Sequence, residues 1–179
     1  MYKKFVIGCD PSGNFAEGKG HTGLCVLDRE QDKVLWTGYT WAKKFNTWQQ
    51  YYSATWSTIR MLFEKYGQED CILSIEDYRL YAHKATAQYS SLLETPRIIG
   101  FILMMCWYHK YPHKIRCASP AKRRCPEEKL EEWGYIYKKG RSWYNTATDK
   151  RVVSHELDSI KHAVYCSRFE LEEKNNGHK

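Results

Sequence analysis

The chain is 179 residues long, with a formal net charge of +7 and a pI near 9.0. Such a length allows one domain with a sizeable core, and the basic balance favours an anionic partner, nucleic acid first. Its seven cysteines contain no CxxC pair, which argues against a zinc ribbon. No apolar run reaches the roughly 18 residues needed to cross a bilayer, so no membrane partner is expected.

Phe5-Val6-Ile7-Gly8-Cys9-Asp10 is a short apolar run that ends in a carboxylate, and Pro11, Ser12 and Gly13 turn the chain at once. Its β-branched and aromatic content predicts a buried strand. A carboxylate at the end of such a strand has a fixed backbone and a side chain at the sheet's edge, which suits a metal ligand; Asp-Pro is also an ordinary turn start. The loop from Pro11 to Thr22 lacks the GxxxxGK[ST] pattern, which argues against a P-loop, and Lys19 and His21 read as solvated. Residues 23–28 and 33–40 predict two further strands joined by short polar connectors, hence an antiparallel meander.

Asn46 or Thr47 is placed to cap a helix that runs to about Tyr66, with Trp48, Tyr51, Tyr52, Thr55, Ile59, Leu62 and Phe63 at helical spacing and Gly67 at its end. Cys71-Ile72-Leu73-Ser74-Ile75-Glu76-Asp77 is a second apolar run ending in acid. Strand side chains alternate, so only one of Glu76 and Asp77 can share a site with Asp10. Glu76 stands to its run as Asp10 stands to its own. The segment from Tyr78 to Ser91, with Arg79, His83 and Lys84, predicts a loop over the sheet's edge. Thr95-Pro96 predicts a helix start with Thr95 as its cap, the alternative being an earlier start with a kink at Pro96. From Ile98 to Trp107 that helix is apolar nearly all round, which predicts burial on more than one side, within the domain or against another subunit.

Lys114 to Pro120 predicts a fifth strand stopped by the proline, with the basic cluster Lys122, Arg123 and Arg124 beside its end. A short helix is expected from Pro126 to Trp133. Between Tyr135 and Val153, Lys138, Lys139, Arg141 and Lys150 interleave with Tyr137, Trp143 and Tyr144. This predicts a hairpin or mobile loop whose charges suit a solvated face and whose rings suit DNA. Ser154 to Tyr165 reads as a last helix capped by Ser154, with Leu157, Ile160, Ala163 and Val164 inward. His155 and Asp158 share one face of it, and His162 lies a turn further along the same side. Residues 1–169 read as a single domain, and the charged residues 170–179 as a disordered tail. The scattered, odd-numbered cysteines read as reduced buried thiols of a cytosolic protein.

Asp10, Glu76, His155 and Asp158 are therefore the candidate catalytic and metal-binding residues. Gathered carboxylates repel one another unless a cation neutralises them. Oxygen ligands suit Mg²⁺ or Mn²⁺, and two such ions about 4 Å apart can activate water and stabilise a leaving oxygen at phosphorus. His155 adds a nitrogen ligand or a proton carrier, and the basic flanks would hold a polyanion across an acidic centre.

In this order of elements the chain resembles RuvC-like Holliday-junction resolvases of the ribonuclease H-like superfamily, particularly the compact phage type. The resemblance is carried by Ile7-Gly8-Cys9-Asp10-Pro11-Ser12-Gly13, Leu73-Ser74-Ile75-Glu76 and His155-Glu156-Leu157-Asp158-Ser159-Ile160-Lys161-His162-Ala163, and covers about residues 3–169. It implies an α/β fold with a central mixed five-stranded sheet, an antiparallel three-strand meander plus parallel strands, flanked by helices. It also implies two Mg²⁺ ions per active site, with Mn²⁺ able to substitute, held by Asp10, Glu76, His155 and Asp158, with Asp10 bridging. A homodimer through the Ile98–Trp107 helix and paired cleavage of four-way DNA junctions follow from the same resemblance, in the cytoplasm of a bacterial or phage-infected cell. Lys122, Arg123, Arg124, Lys138, Lys139 and Arg141 are the candidates for DNA contact.

Two departures bear on substrate: the Asn14 to His21 loop is long, and residues 135–153 match no motif of the family. The rivals are a nuclease of the same fold acting on RNA–DNA hybrid or packaging intermediates, a non-catalytic junction-binding domain, and an actin-like or sugar-kinase phosphotransferase. The last is disfavoured because no second similar half follows.

Overall fold

The computed structural model describes residues 2–78 and 93–171. Five strands, β1 (Phe5–Asp10), β2 (His21–Asp28), β3 (Lys33–Trp41), β4 (Cys71–Asp77) and β5 (His113–Cys117), form one sheet in the spatial order β3-β2-β1-β4-β5. β1, β2 and β3 are antiparallel neighbours, whereas β4 runs parallel to β1 and β5 parallel to β4. The predicted mixed α/β sheet is thus the one observed. The helices are α1 (Trp48–Tyr66), α2 (Glu94–Tyr108), α3 (Ala118–Arg124), α4 (Glu127–Glu132) and α5 (Ser154–Tyr165). A second, three-stranded antiparallel sheet is made by β6 (Ile136–Lys139), β7 (Ser142–Asn145) and β8 (Arg151–Val152).

Alternation along the strands sorts the core into two layers. Ile7, Cys9, Leu24, Val26, Leu73 and Ile75 bury against α1 and α2 on one face of the sheet. Val6, Cys25, Leu27 and Ile72 face the other way, against α4, the small sheet and α5. Asp10 lies two and four residues beyond Gly8 and Val6, and Glu76 two and four beyond Ser74 and Ile72, so both carboxylates belong to the α5 side. α5 is itself deeply embedded: Leu157, Ile160, Ala163 and Val164 are buried, and so are the polar Glu156, Lys161 and His162.

Two glycines let α5 lie this close. A Cβ at Gly8 would come 2.0 Å from the Ser159 carbonyl oxygen, and one at Gly23 would come 2.0 Å from that of His155. Neither distance is tolerable, so any side chain at these positions would push the helix away from the strands that carry the acids. On the opposite face, Tyr51 of α1 donates to the Ser12 carbonyl at 2.8 Å and shares a 2.8 Å bond with Thr22 Oγ1. The Ser12 backbone N–H reaches the same Thr22 oxygen at 3.3 Å. The turn directly after Asp10 is fastened by these bonds.

Several expectations are corrected. Thr95 does not cap α2, which starts a residue earlier after Leu93 in a left-handed conformation; its hydroxyl accepts instead from the Gly13 backbone N–H at 3.0 Å. α2 buries Ile98, Ile99, Ile102 and Cys106 within the domain; Met104, Trp107 and Tyr108, at 57%, 77% and 71% exposure in the single chain, form the face that the sequence reading leaves for a second subunit. Pro120 does not end β5: the strand stops at Cys117 and the proline sits in the first turn of α3, where its missing N–H costs nothing. Ser154 is the first helical residue of α5 rather than its cap; Glu156 reaches back to accept from the Val153 N–H at 2.9 Å. Glu170 and Leu171, assigned to the tail, instead finish a π-helical turn (Cys166–Leu171) that continues α5, and Glu170 pairs with Arg116 and, at 3.2 Å, with Lys114.

Cys9, Cys25, Cys71, Cys106, Cys125 and Cys166 are buried thiols, as expected. Among the described residues no helix is long and apolar enough to cross a membrane. The expected loop from Tyr78 to Ser91 falls, apart from Tyr78, outside the described residues, as do residues 172–179.

Candidate metal centre

β1 and β4 are in register, Cys9 opposite Ile75, so their ends bring Asp10 and Glu76 side by side. α5 crosses this edge and adds Asp158. One carboxylate oxygen from each of Asp10, Glu76 and Asp158 lies within 4.8 Å of the others. The fourth predicted residue, His155, joins through Asp10: its Nδ1 is 2.6 Å from Asp10 Oδ2. An ionised carboxylate only accepts, so Nδ1 carries the hydrogen, and in the neutral imidazole Nε2 then keeps its lone pair. All four sequence candidates thus meet at one place. Alternation along β4 puts Asp77 on the opposite face of the sheet from Glu76.

Three further residues complete the cluster. His162 is fully buried and its Nε2 donates to Glu76 Oε2 at 2.8 Å. Lys122, a candidate for contact with the DNA backbone, lies inside the cluster, 2.9 Å from Asp158 Oδ2 and 3.6 Å from Glu76 Oε1. Lys161 bridges Asp158 at 3.0 Å and Glu127 at 2.7 Å. His21, read as a solvated loop residue, opens β2 and lays its ring parallel to that of His155, 6.0 Å away. A signal for His162 was present in the sequence, since it stands seven residues after His155 and four after Asp158; two helical turns return it to the same face. No local pattern identifies Lys122, because the contact depends on how α3 packs on α5.

The electrostatics follow from burial. Asp10 is pushed up to about 6: desolvation dominates, the His155 hydrogen bond opposes it, and the charge of Glu76 adds to it. Burial also acts on Glu76, but its hydrogen bond and charge contact with His162, together with Lys122, outweigh it and hold the carboxyl below its ordinary value. Asp158 is likewise held low against burial by Lys122 and Lys161. Bonding to Asp10 raises the His155 imidazole.

These residues fit a hard divalent cation. The donors are carboxylate oxygens on three separate rigid elements, with an imidazole alongside. Burial, with the Glu76 charge adding to it, disfavours the ionised form of Asp10, and a cation at this place would favour it.

The other candidates for DNA contact lie apart from this cluster. Arg123 is exposed, and the Arg124 guanidinium sits 5.0 Å from the Phe169 ring centroid. Lys138 lies over Trp143 at 5.4 Å and Lys139 over Tyr144 at 5.9 Å, with Arg141 exposed at the turn between β6 and β7.

No protein-family model matches the sequence, and no curated protein matches it. Solved structures do. The RuvC of Thermus thermophilus in complex with a Holliday junction substrate superposes with a TM-score of 0.65, covering 93% of this chain and 96% of that one at 13% identity. A further Thermus thermophilus RuvC structure gives a TM-score of 0.59 with 96% of each chain covered, again at 13% identity. Across nearly its whole length the chain has the RuvC fold, the fold that the sequence resemblance implied.

Proposed function

We propose that this chain is a divalent-metal-dependent endonuclease of the compact phage type that cuts four-way or otherwise branched DNA. The observation that carries the reading is the meeting of Asp10, Glu76 and Asp158, from the ends of two parallel strands and a crossing helix, on a basic chain with the RuvC fold. In that reading Asp10, Glu76 and Asp158, with His155, hold two Mg²⁺ ions, which Mn²⁺ replaces. Bound there, such ions supply Lewis acidity and a water acidic enough to lose its proton near neutral pH.

The protein's own groups do the rest. His155 keeps its ring orientation through Asp10 and leaves Nε2 available to ligate or to take up a proton. His162 holds the Glu76 carboxylate in one orientation. Lys122 supplies an ammonium beside Asp158 and Glu76, where a scissile phosphate would bring more negative charge. Two copies joined through the exposed face of α2, at Met104, Trp107 and Tyr108, would present two such centres to opposing strands and give paired nicks.

The deciding experiment compares a synthetic mobile four-way junction, a linear duplex of the same arms and an RNA–DNA hybrid, with Mg²⁺, with Mn²⁺ and with EDTA, for the wild type and Asp10→Asn. Metal-dependent cuts on the junction, absent from Asp10→Asn, support the reading; preferential cutting of the hybrid moves the substrate to that class. A second reading, a non-catalytic junction binder, is favoured by the position of Lys122, which could serve as a permanent counter-ion. Junction binding without cleavage, unaffected by divalent ions, would establish that alternative.

A further inference from the structure

Residues 135–153 form a small sheet whose two faces differ. The register places Tyr137 opposite Tyr144, Lys138 opposite Trp143, Trp143 opposite Val152 and Tyr144 opposite Arg151. Alternation therefore puts Ile136, Lys138, Trp143, Asn145 and Val152 on one face. Ile136, Asn145 and Val152 are buried there, and the Asn145 side-chain amide donates to the Val34 carbonyl at 2.9 Å, which docks this face on β3. The opposite face carries Tyr137, Lys139, Ser142, Tyr144 and Arg151, with Arg141 at the turn.

On that outer face the Tyr137 and Tyr144 rings stack, with centroids 5.5 Å apart and planes 27° from parallel. Lys139 and Arg151 flank them and are exposed. Among the described residues neither they nor Arg141 is paired with a carboxylate. Asp149 accepts from the Tyr137 hydroxyl at the edge of the face. Lys150 is directed elsewhere, to the Thr37 carbonyl at 2.8 Å and to Glu156 at 3.4 Å. The sheet also leads directly into the candidate centre: Arg151 is four residues before His155, a chain reach of about 14 Å at most.

We propose that this outer face is a binding subsite for an unpaired stretch of DNA next to the cleavage site, with bases stacking on Tyr137 and Tyr144 and phosphates on Lys139, Arg151 and Arg141. The inference rests on the nuclease reading for its substrate, but its geometry is independent of the acidic cluster. Rings flanked by cations without a carboxylate partner, Lys139 lying over the Tyr144 ring at 5.9 Å, match a strand whose bases are open, because each base offers a flat face and each nucleotide a charge. A closed duplex offers only the charge. The position of Lys138 on the other face removes it from this set, and Arg151, which interleaving in sequence does not single out, enters it.

The test is fluorescence anisotropy in EDTA with the full chain and three labelled probes: oligo(dT), a four-way junction and a linear duplex. Tyr144→Ala should weaken oligo(dT) and junction binding by about tenfold and duplex binding much less. The double variant Lys139→Gln, Arg151→Gln should make the slope of log affinity against log salt on oligo(dT) shallower by about 1.4. Lys139 and Arg151 are exposed and Tyr144 is half-buried, so thermal melts matching the wild type are the check that folding is intact. Equal loss on all three probes, or no loss, overturns the subsite. If the wild type cuts junctions but Tyr144→Ala binds oligo(dT) normally, the subsite fails while the nuclease reading stands. If Tyr144→Ala shows the selective loss but the wild type cuts nothing, the subsite stands and the nuclease reading falls.

Discussion

His155 and His162 sit on one face of α5, seven residues apart, and each holds a carboxylate from a different strand: His155 bonds Asp10 at 2.6 Å and His162 bonds Glu76 at 2.8 Å. Asp158 lies between them on the same helix. One helix thus supplies an acid and orients the two acids that the sheet supplies. His162 has no contact with solvent, so its role is confined to Glu76 and its own packing. Replacing it with leucine fills the volume and removes the donor; replacing it with glutamine keeps an N–H near the position of Nε2. We expect His162→Leu to lower Mn²⁺ affinity, read by calorimetry, and single-turnover cleavage by about 10–100-fold. His162→Gln should recover much of both. Equal defects in the two variants would mean that His162 acts by packing alone.

Asp10 sets a pH dependence. Its carboxyl is pushed up to about 6 by burial in the folded, ion-free protein, against an ordinary value of 3.8. A raised carboxyl contributes stability that is complete below the ordinary value and is lost as pH rises through the folded value. The ion-free protein should therefore lose stability between about pH 4 and 6, by a few kcal/mol at most. A cation bound at Asp10 needs the ionised form, so divalent stabilisation should run the other way and grow over the same window. Melting curves from pH 4 to 8, with and without Mg²⁺, read both effects. Asp10→Asn should flatten both; an unchanged window in that variant would assign the titration to another group.

Much of this arrangement was legible in the chain, for a physical reason. The strand-end acids announce themselves because an apolar run that stops at a carboxylate is a local pattern, and Asp10 and Glu76 repeat it. The meander of β1, β2 and β3 and the parallel placing of β4 and β5 follow from their connectors, without a helix in the first case and helical in the second. What sequence did not show depends on contacts between distant elements. Lys122 looked like part of a surface charge cluster because its neighbours Arg123 and Arg124 are basic, yet the packing of α3 on α5 turns it alone into the acids. Pro120 was read as a strand stop, although proline serves equally well in a first helical turn. Gly8 and Gly23 carry no chemical signal; only the approach of α5 reveals why a side chain is excluded there.

Lys122 gives a prediction about charge balance. Its ammonium lies 2.9 Å from Asp158 and 3.6 Å from Glu76, and it is the link that α3 contributes to the cluster. Lys122→Met keeps the aliphatic stem and removes the charge. Without divalent ions the three acids then repel more strongly, and the melting temperature should fall at low salt. Because Lys122 is 42% exposed, solvent screens the pair and the loss should be about 1 kcal/mol or less. Adding Mg²⁺ should raise the melting temperature of the variant more than that of the wild type, since the ion restores the missing charge. A smaller rise in the variant would show that Lys122 helps to form the cation site rather than standing in for the cation.

The last prediction concerns how closely α5 approaches the sheet. A methyl group at Gly23 would lie 2.0 Å from the His155 carbonyl oxygen and 2.7 Å from the Glu156 nitrogen, both backbone atoms that no rotamer change can move aside. Gly23→Ala must therefore displace the N-terminal end of α5, which carries His155, Glu156 and, at the start of its second turn, Asp158. Overpacking of this kind costs about 1–3 kcal/mol, which urea denaturation will measure. The displacement also separates Asp158 from Asp10 and Glu76, so Mn²⁺ affinity should fall further than the stability loss alone explains. Gly100→Ala is the matched control: nothing lies within 4 Å of a Cβ there, and alanine favours the helix. That variant should keep its cation affinity and be slightly more stable. A Gly23→Ala protein that is destabilised yet binds Mn²⁺ as tightly as the wild type would show that the first turn of α5 does not set the cation site.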